Sequence, residues 1–152
     1  MSGIYSLSPN DWLGLIARLG IALLSGAIIG LDREIKHKPA GLRTHMLVSF
    51  GSALFTLVPI LIGATEQSAD ALSRVVQGIT AGVGFLGAGE ILSESQPQTG
   101  GVRIRGLTSV AAIWISAALG IAAGCGLWQL CLIAAALTFV VLRVFKKLEH
   151  HI

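Results

Sequence analysis

The sequence predicts an all-α membrane protein with five transmembrane helices, and three observations carry that prediction. Of its 152 residues, 53% are hydrophobic and only 12% charged, with a mean hydropathy of +0.77, which lies outside the range of soluble globular domains. The apolar residues fall into runs of about 20, the length needed to cross a hydrocarbon core roughly 30 Å thick. The basic residues gather in alternate connectors, as a cytoplasmic face requires. So little sequence lies between the runs that residues 1–152 are expected to form a single transmembrane domain.

The first span is predicted over 12–31. Ser8, Pro9 and Asp11 resemble a capping serine, a first-position proline and an acid that closes the box. The second span, 42–61, carries Pro59 near its far end, where a missing amide does least harm. The third, 75–92, holds Gly78, Gly82, Gly84, Gly87 and Gly89 and suits the inside of a bundle better than a lipid face. A polar loop over 93–106 follows, then spans over 107–123 and 127–144 joined at Gly124-Cys125-Gly126. The apolar start lacks a basic n-region and a small-residue cleavage site, so no cleaved leader is expected.

Charge sets the orientation. Arg33, Lys36, Lys38, Arg43, Arg103, Arg105, Arg143, Lys146 and Lys147 fall on one face, so nine of the eleven basic residues mark the cytoplasm. The N-terminus is then outside, the C-terminus cytoplasmic, and Trp12 and Trp128 sit at the outer interface. The net charge of +3 is thereby read as topology, and no nucleic-acid partner is expected. GAIIGLDRE with GLRT, and GVGFLGAGE with GLTS, recur in the same order, which suggests a parallel repeat of two hairpins.

Several local patterns have plain explanations. Gly82 to Gly87 spells a dinucleotide fingerprint, but inside a membrane span the glycines make a small-residue packing face. Gly26 with Gly30, Gly78 with Gly82, and Gly120 with Gly124 are each read as helix-packing faces. Cys125 and Cys131 are six apart, off a common helix face, and are read as small core residues. No nucleophile and base, phosphate loop or zinc spacing stands out, so the chain is not read as an enzyme. His150 and His151 are read as a solvated tail.

The chemistry concentrates at the basic face. Asp32, Arg33, Glu34, Arg43, Thr44, His45, Glu90, Arg105 and Thr108 come from the facing ends of four spans, where helix dipoles present alternating potential. Asp32 and Glu34 are candidate magnesium ligands, since that ion needs only one or two carboxylates and keeps most of its waters. The nearby arginines offer the alternative of an interlocking ion-pair network, with Asp32 expected against Arg33 or Arg43. An anionic lipid headgroup is an equally suitable ligand. His45 is read as a structural hydrogen-bonding group ahead of a proton relay. Arg18, six residues into the first span, either lines a polar path or bonds helix carbonyls near the outer interface, the second reading being favoured.

At these residues the chain resembles the MgtC/SapB family of bacterial inner-membrane proteins. The resemblance rests on GAIIGLDRE, KPAGLRTHMLVSFGSALFTL, GITAGVGFLGAG and VRIRGLTSVAAIWISAALGIAAGCG, in family order over roughly residues 26–126. It implies a five-span domain with a cytoplasmic C-terminus, in a short form without the cytoplasmic C-terminal domain of longer members. It also implies a role in magnesium homeostasis, in growth when magnesium is scarce and, in some pathogens, in survival inside host cells. Many members carry glutamate where Asp32 stands here, and an apolar or small residue at position 90. Two functions follow as expectations: a magnesium transporter, or a regulatory module that binds another membrane protein or an anionic lipid. Membrane lipids and a second copy in a dimer are the expected partners, with magnesium as the candidate ion.

Overall fold

The first apolar run becomes a helix one turn longer than expected. In the computed structural model, which describes residues 7, 8, 10–68, 70–94, 97, 98, 101, 102 and 106–145, α1 covers Trp12–Ile35. Asp11 caps it, its Oδ1 accepting from the Gly14 amide at 2.9 Å. Asp11 stands at the N-cap-to-N3 spacing from that amide and Ser8 is a turn too early. Ser8 instead accepts from the Asn10 amide at 3.4 Å, and Pro9 lies outside the described residues. At the other end, Asp32, Arg33, Glu34 and Ile35 contain no helix breaker, so the helix outlasts the apolar run. It closes in a Schellman turn: the Lys38 amide bonds the Arg33 carbonyl at 3.0 Å and the His37 amide the Glu34 carbonyl at 2.9 Å. His37, with φ 51°, holds the left-handed position that glycine usually takes.

Helix α2 covers Leu42–Leu61, as expected, and carries Pro59 in its last turn. A one-turn α3, Ala64–Gln67, fills the next connector. Helix α4 covers Asp70–Glu94 and starts earlier than the apolar run, with Ser68 Oγ accepting the Asp70 amide at 3.2 Å. The loop expected after it contains two short antiparallel strands, β1 (Pro97–Gln98) and β2 (Gly101–Val102). Helix α5 covers Leu107–Gly124, and α6 covers Trp128–Val140 before widening into a π-helical turn at Val141–Phe145.

Four helices, α1, α2, α4 and α5, are long and apolar enough to cross a membrane. Helix α6 is shorter, its 13 residues spanning about 20 Å at 1.5 Å per residue. The π turn extends it toward the end of the expected 127–144 span. Burial is inverted relative to a soluble protein. Ser25, Ser49, Ser52, Thr56, Ser109 and Ser116 are buried, while Trp12, Leu13, Phe55 and Phe85 are exposed. Inside, the hydroxyls bond helix carbonyls: Ser52 to Val48, Thr56 to Ser52 and Ser116 to Ala112. Each polar group is thus satisfied within its own helix. The protein is a polytopic membrane protein.

Glycines decide which helices touch. A Cβ on Gly26 would meet the His45 carbonyl oxygen at 2.6 Å, and one on Gly30 the Leu42 Cα at 2.7 Å. On the other side of α2, Gly120 lies against the Ser49 carbonyl and Gly124 against Thr56. Helix α2 is therefore sandwiched at backbone contact between α1, which runs antiparallel to it, and α5, which runs parallel. The expected packing role of Gly78 and Gly82 is not used in this way, because a Cβ at either meets nothing within 4 Å. Ile79 and Val83 pack with Ile113 and Ala117 of α5, and Gly87 meets Val110. That contact turns the Gly78–Gly82 ridge outward. The two hairpins of the suggested repeat share their order of elements and differ in packing.

Candidate functional site

The basic end of the bundle brings the first helix to the last. Asp32 is 1% exposed, and both of its carboxylate oxygens are engaged. Lys36 Nζ lies 2.7 Å from Oδ2, and Arg143 Nε lies 3.3 Å from Oδ1. Lys36 is one helical turn beyond Asp32, the spacing at which side chains meet. Its ammonium also donates to the Leu142 carbonyl at 2.8 Å, a bond across 106 residues. The π-helical turn presents that carbonyl and Arg143 together, with the guanidinium carbon 4.9 Å above the Phe139 ring.

The neighbouring side chains point elsewhere. Arg33 is buried, its Nη2 donating to Ser109 Oγ at 2.6 Å, which ties α1 to the first turn of α5. Glu34 is exposed and turns toward α2, where Oε2 accepts the Leu42 amide at 2.9 Å. Gly41, the N-cap of α2, has no side chain to do this, and Glu34 packs so closely on it that any Cβ would collide. A residue of the preceding helix therefore caps the second one. His45 is fully buried, its Nδ1 at 2.8 Å from Ser116 Oγ, beside the backbone contact of Gly30.

This geometry corrects two expectations. Asp32 pairs with Lys36 and Arg143, and not with Arg33 or Arg43, because α1 extends past Leu31 and brings Lys36 over Asp32. Asp32 and Glu34 do not form a magnesium pair. Two residues apart on a helix they take opposite faces: one carboxylate is sealed between two cations, the other caps α2. Among the described residues, no group of three His, Cys, Asp or Glu side chains is arranged to hold a metal ion.

The other candidates are dispersed. Arg43 and Thr44 are exposed and, with Glu34, Pro39, Gly41 and Leu42, line a polar pocket of about 450 Å³ at the N-terminus of α2. Thr108 is exposed in the first turn of α5. Glu90 is half-buried in α4, and its Oε1 has no hydrogen-bond partner among the described residues. Arg103, Arg105, Lys146, Lys147, His150 and His151 lie outside the described residues. At the opposite end, Arg18 Nη1 donates to the Gly124 carbonyl at 2.9 Å and closes the C-terminus of α5. Its guanidinium packs under Gly126, whose φ of 77° demands glycine. Lys36 and Arg143 were missed as site residues, and so were Ser109 and Ser116. The signal for Lys36 was its four-residue spacing from Asp32. Ser109 and Ser116 share a helix face at a spacing of seven.

The sequence profile of the MgtC family matches residues 19–151. The chain is 53% identical to SrpB of Synechococcus elongatus over 148 residues, covering 94% of this chain and 81% of that one. It is 40% identical to YhiD of Escherichia coli, whose name carries a provisional magnesium-transporter label, over 88% of this chain and 61% of that one. It is 36% identical to MgtC of Brucella abortus over 87% of this chain, spanning 51% of that protein's length. No solved structure matches. A profile covering nearly the whole chain, on a bundle of apolar helices closed at its basic end, identifies this protein as a member of the MgtC family.

Proposed function

We propose that this protein serves magnesium homeostasis in the bacterial inner membrane as a regulatory module, engaging a membrane-protein partner or an anionic lipid at its basic face. The observation that carries this reading is the state of Asp32. A carboxylate with both oxygens held by Lys36 and Arg143 is an ion-paired latch between the first and last helices. The open chemistry lies beside it, where Arg43 and Thr44 stand exposed at the α2 N-terminus. A guanidinium and a hydroxyl at a helix N-terminus suit an anionic headgroup or an acidic side chain. The reading is non-enzymatic, since the sequence offers no nucleophile and base.

Growth in low magnesium tests it, using a bacterial strain that lacks its own family member. The wild-type protein should restore growth, and Arg43→Ala should fail to do so while reaching the same level in the membrane. Equal growth with Arg43→Ala would remove the basic face from the function. A second reading, direct magnesium transport, is favoured by the label on YhiD at 40% identity. It requires flux through the protein alone.

A further inference from the structure

We infer that the outward face of α4 is the contact surface for a second copy of this chain, in a parallel dimer with its two-fold axis along the membrane normal. Of the four long spans, α4 has the smallest share of its apolar stretch covered by protein, 17% against 28% to 56% in the others. It is also the span whose paired glycines are open. Gly26, Gly30, Gly120 and Gly124 all meet a neighbouring helix, whereas Gly78 and Gly82 meet nothing. Beside them, between α4 and α2, runs an apolar groove of about 890 Å³ walled by Phe55, Pro59, Ile79 and Leu86. Small residues four apart on a membrane helix let two parallel helices cross at backbone contact.

A groove of this kind could hold a lipid tail equally well, and charge separates the two occupants. Asp70, Arg74, Gly78 and Gly82 follow one another at intervals of four and so form one ridge of α4. Asp70 and Arg74 are exposed, and neither makes a salt bridge among the described residues. Two copies inserted the same way and related by a two-fold axis place Arg74 of each against Asp70 of the other, because an isologous contact repeats every pair. The ridge is thus self-complementary in shape and in charge. A hydrocarbon tail answers neither residue.

Oxidative cross-linking of Gly78→Cys in native membranes tests the inference, with Leu24→Cys on an exposed face of α1 as the control. Both native cysteines are buried, so they do not interfere. Gly78→Cys should give a covalent dimer and Leu24→Cys should not. Absence of the dimer at Gly78→Cys, or equal cross-linking at both positions, would overturn the proposal. Charge reversal supplies the second arm in the same Gly78→Cys background. Asp70→Arg and Arg74→Asp should each reduce the cross-linked dimer, and together they should restore it. Loss without restoration would overturn the two-fold pairing.

Discussion

Arg143 Nε lies 3.3 Å from Asp32 Oδ1, so the last described turn of the chain is tied to the end of its first helix across 111 residues. Lys36 holds the other oxygen at 2.7 Å and the Leu142 carbonyl at 2.8 Å. Three helical segments therefore meet at one buried carboxylate.

Asp32→Asn keeps the volume and removes the charge. Lys36 then stays partly buried without its anion, and the unfolding free energy in detergent should fall by about 1–3 kcal/mol, below the full cost of breaking a sealed pair because Lys36 retains a carbonyl. Arg143→Met should cost under about 1 kcal/mol, since Arg143 is 52% exposed and screened by solvent. Thermal unfolding followed by thiol exposure at Cys131 measures both. Equal losses would show that the pair does not depend on the buried partner.

Alanine at glycine positions separates closed helix contacts from open ones. Gly120→Ala drives a methyl group into the Ser49 carbonyl, and the resulting shift should cost about 1–3 kcal/mol despite alanine's better helix propensity. Gly78→Ala meets nothing, so the protomer should gain up to about 1 kcal/mol. A Gly120→Ala protein as stable as wild type would contradict the close approach of α2 and α5.

His37→Gly should stabilise the protein by about 1 kcal/mol, because glycine occupies the left-handed C′ position without the penalty that a Cβ carries. A loss on this substitution would mean that the imidazole makes a contact worth more than the backbone relief. The melting temperature decides it.

Ser116→Ala should destabilise by about 1–2 kcal/mol, the cost of leaving a buried imidazole nitrogen without its partner. Ser116→Thr preserves the hydroxyl and should recover most of the loss. A Ser116→Ala protein with unchanged melting would mean that the His45 ring is held by other contacts.

Much of the fold was legible because hydrophobic length is a direct physical requirement of the membrane. Helix α2 begins and ends where its apolar run does. Helices α1 and α4 do not, since a helix ends where capping and backbone geometry end it, and polar residues such as Asp32 to Glu34 or Asp70 to Arg74 continue the hydrogen-bond ladder into the interface. That difference concealed the site's pairing. With the first helix stopped at Leu31, Lys36 was part of a loop; with the helix carried to Ile35, it lies one turn from Asp32. Arg143 could not be assigned from sequence, because its contact depends on a π-helical widening and on tertiary packing of α6. The glycine pairs were legible as small faces, but which of them would meet a helix was not. That depends on how α4 leans on α5.

Magnesium flux into proteoliposomes holding the purified protein, with Asp32→Asn alongside, tests the central claim most directly. The latch account predicts no flux above that of protein-free vesicles from either protein, in samples whose folding is verified by a cooperative melt. Flux through the wild-type protein that is lost in Asp32→Asn would contradict it and make the Asp32 cluster part of a transport path.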